Sequence, residues 1–112
     1  MERRPSDLRP GRCAACEGGV SALSPEALTQ SLAALTDWQV KDAGIERRFR
    51  FRNFYESMAF VNAIAWIAAR EDHHPDLQVG YDYVLVRFQT HSVGGVTEND
   101  ILCAQAVDAL IA

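Results

Sequence analysis

Between Asn53 and Pro75 the chain is committed to one long helix and to its abrupt end. Phe54, Met58, Val61, Ile64, Ala65 and Ala68 recur at helical spacing, and Phe60 and Ile67 widen the stripe. The pattern predicts a helix over about 54–71 whose apolar face belongs to the core. Asn53 can cap its start. Pro75 stops it, because the residue before a proline is disfavoured in the α region. His73 and His74 therefore stand just past a helix C-terminus, behind Glu71 and Asp72.

The remaining elements arrange themselves around that helix. Ser24-Pro25-Glu26 is a helix opening, with a capping hydroxyl, a proline for the first turn and an acid for the helix dipole. Leu28, Leu32 and Leu35 extend it over about 25–36. Trp38 to Lys41 and Ile45 to Phe51 alternate around Asp42-Ala43-Gly44 and read as a β-hairpin. Leu77 to about Tyr83 reads as a weaker strand, and Val84 to Thr90 as a strong one. In the strong strand Val84, Val86 and Phe88 share one side, while Tyr83, Leu85, Arg87, Gln89 and His91 share the other. Gly94-Gly95 marks a loop, after which Thr97 caps a last helix with Asp100 at its third position. Ile101, Ala104, Val107 and Ile111 carry that helix to about Leu110. The order αββαββα implies an α+β two-layer domain, a four-stranded antiparallel sheet with three helices on one face. Residues 1–22, with Pro5, Pro10, Gly11, Gly18 and Gly19, read as a flexible N-terminal arm before a single domain at 23–112.

Composition excludes several classes of function. Eleven basic and 15 acidic residues give a formal charge of −4, which offers nucleic acid no general basic field. No apolar run approaches the roughly 18 residues of a membrane helix. The N-terminal arginines have no apolar stretch behind them, so no secretory signal is expected and the default location is the cytosol. Three cysteines, Cys13, Cys16 and Cys103, make no disulfide framework. Cys13-Ala-Ala-Cys16 has the spacing of a redox or zinc half-site, but no second pair follows, and two thiols on a tail is the plainer reading.

The chemistry is concentrated in the histidines. All three, His73, His74 and His91, fall between positions 73 and 91, beside Glu71, Asp72 and Asp76. Imidazole is the side chain whose ordinary titration range spans neutral pH, which suits proton transfer. A histidine at a helix end can also do no more than cap carbonyls. Two adjacent histidines in extended chain point to opposite sides, so one can face a cleft while the other braces the loop. A zinc site is the rival chemistry; neighbouring histidines chelate one ion poorly and no HxH or HxxxH spacing occurs, yet the carboxylates nearby keep it open. No serine or cysteine carries a nucleophile signature, and Gly94-Gly95 lacks the spacing of a phosphate loop. From the residues alone, acid–base catalysis without a cofactor leads.

Glu71-Asp72-His73-His74-Pro75-Asp76, Thr90-His91 and Gly94-Gly95-Val96-Thr97-Glu98-Asn99-Asp100 closely resemble the pterin-4a-carbinolamine dehydratase family. Phe51-Arg52-Asn53-Phe54 with Ala59-Phe60, and Cys16-Glu17-Gly18-Gly19 followed by Leu23-Ser24, extend the resemblance over about 16–108. It implies the same αββαββα domain, associating as dimers or tetramers. It further implies dehydration of 4a-hydroxytetrahydropterin to quinonoid dihydropterin, with a functional link to an aromatic amino-acid hydroxylase. The family's catalytic positions fall on His73, His74, His91 and Asp100, and Asp72, Pro75, Thr90 and Ser92 are expected to contact the pterin. On this reading His73 and His91 transfer protons, His74 positions the substrate and Asp100 orients His91. No metal and no cofactor are expected. The chain departs from the family at Ala69, where many members have Glu, and at Leu77, where members often have Trp.

Overall fold

The computed structural model describes residues 21–112. Ser24 opens α1 (Pro25–Leu32) as its sequence predicts, its hydroxyl accepting the Ala27 amide at 3.2 Å. The helix ends at Leu32, short of the predicted 36. The amides of Leu35 and Trp38 take the carbonyls three residues back, and these tight turns carry both side chains into the core.

β1 (Gln39–Lys41) and β2 (Gly44–Arg50) form the first hairpin. The second joins β3 (Asp76–Val79) to β4 (Tyr83–Phe88), and both strands are shorter than the predicted ranges. The sheet order is β1-β2-β4-β3, antiparallel throughout, which makes β2 and β4 its centre. Register sets Ile45 opposite Phe88 and Phe49 opposite Val84. The alternation read for β4 holds: Val84, Val86 and Phe88 are buried, and Tyr83, Leu85 and Arg87 face away.

α2 (Phe54–Glu71) begins where Asn53 Oδ1 accepts the Glu56 amide at 2.9 Å. Its buried face keeps Phe60, Ile64 and Ile67 of the predicted stripe and adds Ser57 and Glu71. Phe54 is 45% exposed and Ala65 also faces solvent. The helix is apolar nearly all round, so its period left the phase open, and two polar residues with partners settled it. Ser57 Oγ bonds the carbonyls of Asn53 and Tyr81, and Glu71 pairs with Arg70 at 2.8 Å. α3 (Glu98–Ala109) packs against α2 and β4. The helices cover one face of the sheet, and residues from every element except the exposed β1 meet in one core around Ile45, Phe49, Ile64, Phe88 and Val107. Each such burial contributes roughly 1.5–3 kcal/mol. The arrangement brings three ends together: the C-terminus of α2, the end of β4 and the N-terminus of α3.

Candidate functional site

α2 is closed by Asp72 in the left-handed conformation, φ 53° and ψ 42°, which aspartate tolerates better than most residues. The amides of Asp72 and His73 both return to the Ala68 carbonyl. The chain then leaves the helix sharply, and the two histidines part as their extended setting predicts. His73 turns inward, with 10% of its side chain exposed, and His74 turns out.

His73 Nε2 lies 2.6 Å from Asp100 Oδ1. Its ring is parallel to that of Phe88, 10° between planes and 6.1 Å between centroids. Asp100 is fully buried at the third position of α3. Its second oxygen accepts the Thr90 hydroxyl at 2.8 Å and the Thr97 amide at 2.9 Å. A carboxylate only accepts, so Nε2 of His73 carries the shared proton and neutral His73 keeps its lone pair on Nδ1. His74 is built the other way round, its Nδ1 facing the Pro75 carbonyl at 3.1 Å and Nε2 open. Among the described residues no hydrogen bond reaches either open nitrogen.

His91 begins a single 3₁₀ turn, His91–Val93, and is exposed. The turn is pinned at its base, where Thr90 and Gly95 exchange backbone hydrogen bonds at 2.9 and 3.4 Å. Gly94 closes it at φ 63°, a conformation glycine adopts without strain. Asp72, His73, His74, Gln89, Thr90, His91 and Ser92 line one open cavity of about 190 Å³.

The structure puts the residues singled out from the sequence to different uses. The three histidines, Asp72 and Ser92 line the cavity directly. Thr90 lines it too, but its hydroxyl turns inward to Asp100. Pro75 stands outside the lining and offers its carbonyl to His74. Asp100 is the main revision: it holds His73, not His91. Position three of α3 faces the end of α2, whereas the Gly94 turn carries His91 to the surface. Glu71 lines a separate cleft with Arg70, Leu102 and Gln105, away from the histidines. Sequence reasoning passed over Gln89, Phe88 and Thr97. Gln89 could have been found, since it shares a strand face with His91; Phe88 acts only through tertiary contact, and Thr97 adds to its local bond with Asp100 a hydroxyl contact with Thr90 across the loop. Among the described residues no group of three His, Cys, Asp or Glu side chains is placed to hold a metal ion. Cys13 and Cys16 lie outside the described residues, and Cys103 is a buried thiol.

The family model for pterin 4 alpha carbinolamine dehydratase matches residues 21–110. The chain belongs to the pterin-4-alpha-carbinolamine dehydratase family. A family relative from Nitrosomonas europaea, provisionally named a pterin-4-alpha-carbinolamine dehydratase, is 51% identical over 105 residues, covering 93% of each chain. One from Legionella pneumophila (strain Corby), named likewise, is 51% identical over 109 residues, covering 95% of this chain and 96% of its own. Among solved structures, a transcriptional coactivator/pterin dehydratase from Brucella melitensis superposes with a TM-score of 0.79 at 35% identity. That match covers 82% of this chain and all of the other. A pterin dehydratase-like protein described as a RuBisCO assembly factor in the alpha-carboxysome gives 0.54 at 28% identity, covering 65% and 84%. In this dehydratase-family chain, no helix among the described residues is long and apolar enough to cross a membrane.

Proposed function

We propose that this chain dehydrates 4a-hydroxytetrahydropterin to quinonoid dihydropterin by histidine acid–base catalysis, without a cofactor. One observation carries the reading: three imidazoles line a single cavity, and one is backed by a buried carboxylate at 2.6 Å. The reaction needs a base to take the N5–H proton and an acid to protonate the departing 4a-hydroxyl. The electron pair left by the N–H bond becomes the C4a=N5 bond as the C4a–O bond breaks, and water leaves. His73, through Nδ1, and His91 exchange these two protons. His74 positions the pterin through Nε2, and Asp72, Thr90 and Ser92 line its place. Asp100 fixes the tautomer of His73 and stabilises its imidazolium when it forms. General acid–base catalysis of this kind contributes about 10²–10⁴-fold. The physiological setting in this reading is a cytoplasmic dimer or tetramer that serves an aromatic amino-acid hydroxylase.

One observation favours a second reading, a binding or assembly role on the same scaffold. α2 presents Tyr55 and Trp66 to solvent at 81% and 49% exposure, more than a plain solvated face needs. Stopped-flow dehydration of freshly generated 4a-hydroxytetrahydropterin separates the two. Catalysis predicts acceleration by the wild type and a loss of about 10²-fold or more in His73→Ala. No acceleration over the spontaneous reaction promotes the binding role. Wild-type rates in both His73→Ala and His91→Ala end the assignment of roles.

A further inference from the structure

Thr97 is fully buried at the base of the loop that carries His91, and its hydroxyl lies 2.8 Å from that of Thr90. The direction of the protons can be worked out. Thr90 has one hydroxyl proton, and the carboxylate of Asp100, which only accepts, takes it at 2.8 Å. Thr90 Oγ1 is therefore the acceptor toward Thr97, and Thr97 is the donor. The result is a one-way chain, Thr97 hydroxyl to Thr90 hydroxyl to Asp100 Oδ2. The Thr97 amide binds that same oxygen at 2.9 Å, and Oδ1 is left for His73 at 2.6 Å. Thr90 is 4% exposed, and Thr97 and Asp100 are 0% exposed, so little water is available to replace a missing donor.

We propose that Thr97 is a positioning residue for His73, acting through Thr90 and Asp100. Its hydroxyl fixes the Thr90 rotor, the two threonines fix one rotamer of Asp100, and Asp100 fixes the tautomer that turns Nδ1 of His73 away from it. The same link bears on His91, because Thr90 is the residue before it and forms the base of its turn with Gly95. The hydrogen-bonded chain is independent of what the site does; its effect on rate rests on the dehydratase reading.

The test compares wild type, Thr97→Val and Thr97→Ser in two measurements. In ligand-free protein, long-range ¹H–¹⁵N spectra of the imidazoles should show neutral His73 protonated on Nε2, with a downfield Nε2–H, in wild type and Thr97→Ser. Thr97→Val should mix the tautomers and move that proton upfield. In the dehydration assay Thr97→Val should lower kcat about tenfold with KM within about twofold, and Thr97→Ser should restore it. A purely structural cap would lower the melting temperature of Thr97→Val and leave both readouts alone, which would overturn the proposal. Failure of serine to restore them would overturn it as well. If Thr97→Val does not fold, Thr97→Cys, similar in volume and a weak donor, takes its place with the same expected changes. A tautomer shift in Thr97→Val beside an inactive wild type upholds the positioning chain and removes the dehydratase reading. An active wild type with unchanged His73 signals in Thr97→Val does the reverse.

Discussion

α3 carries an aspartate near each end, and the two are put to different uses. Asp108 receives Arg47 from β2 at 2.8 Å and the Trp38 indole from the approach to β1 at 2.9 Å. Arg47 also reaches Asp37 at 3.4 Å and lies over the Phe49 ring. A guanidinium does not release its proton in a protein, and an indole N–H only donates. This end of α3 is a fastening. At the other end Asp100 receives two fixed donors on one oxygen and an imidazole on the other. The geometry is similar, but the partner can change its protonation. A carboxylate that meets a permanent cation holds a fold together, and one that meets a histidine at the wall of a cavity can govern a reaction.

Four substitutions bear on that contrast, in falling order of consequence. Asp100→Ala strands the Thr90 hydroxyl, the Thr97 amide and His73 at once. We expect a loss of about 2–4 kcal/mol in denaturant unfolding, with dehydration falling to the spontaneous rate. Arg47→Ala should cost about 1–3 kcal/mol, since Asp108 loses its cationic partner and the contact over Phe49 goes with it. The same protein should keep kcat within about twofold at a temperature where it is folded; a large fall in kcat would erase the distinction between the two ends. His74→Ala, at an exposed side chain that meets its neighbour's carbonyl, should leave stability unchanged within about 0.5 kcal/mol and raise KM about tenfold. Glu56→Gln should do least. Its carboxyl is held below its ordinary value chiefly by the Arg52 amide that donates to it. A lowered folded-state pKa gives stability that is present above the ordinary carboxylate range and fades as pH falls through the lowered value. For so exposed a group we expect a melting shift of about a degree or less near neutral pH, and none in acid.

Most of the fold could be read residue by residue. Ser24, Asn53 and Thr97 each start a helix where their side chains predict, because capping is a local matter between residues three apart. The phase of β4 was legible for the same reason: alternation in a strand is visible within six residues. The face of α2 was legible only in part: Phe60, Ile64 and Ile67 were in the predicted stripe, but the inward turn of Ser57 and Glu71 is decided by their partners. The site divides along the same line. His73, His74 and His91 announced themselves by residue type and clustering, and they do meet in one cavity. The pairing of Asp100 with His73 rather than His91 spans 27 positions, and no local pattern encodes it. Thr97 was visible as a cap and silent as a donor to Thr90, because its second contact crosses a loop that only the folded chain closes.

On the proposed function, Asp100 acts on chemistry through His73 while Asp108 acts on stability alone. The most direct measurement is stopped-flow dehydration of 4a-hydroxytetrahydropterin by Asp100→Asn and Asp108→Asn, side by side. Asparagine at 100 can present an amide to His73 Nε2 and force the opposite tautomer. Its kcat/KM should fall about 10²-fold or more, while Asp108→Asn stays within about twofold of wild type. Equal rates for the two variants, or a greater loss in Asp108→Asn, would mean that Asp100 has no special part in the reaction.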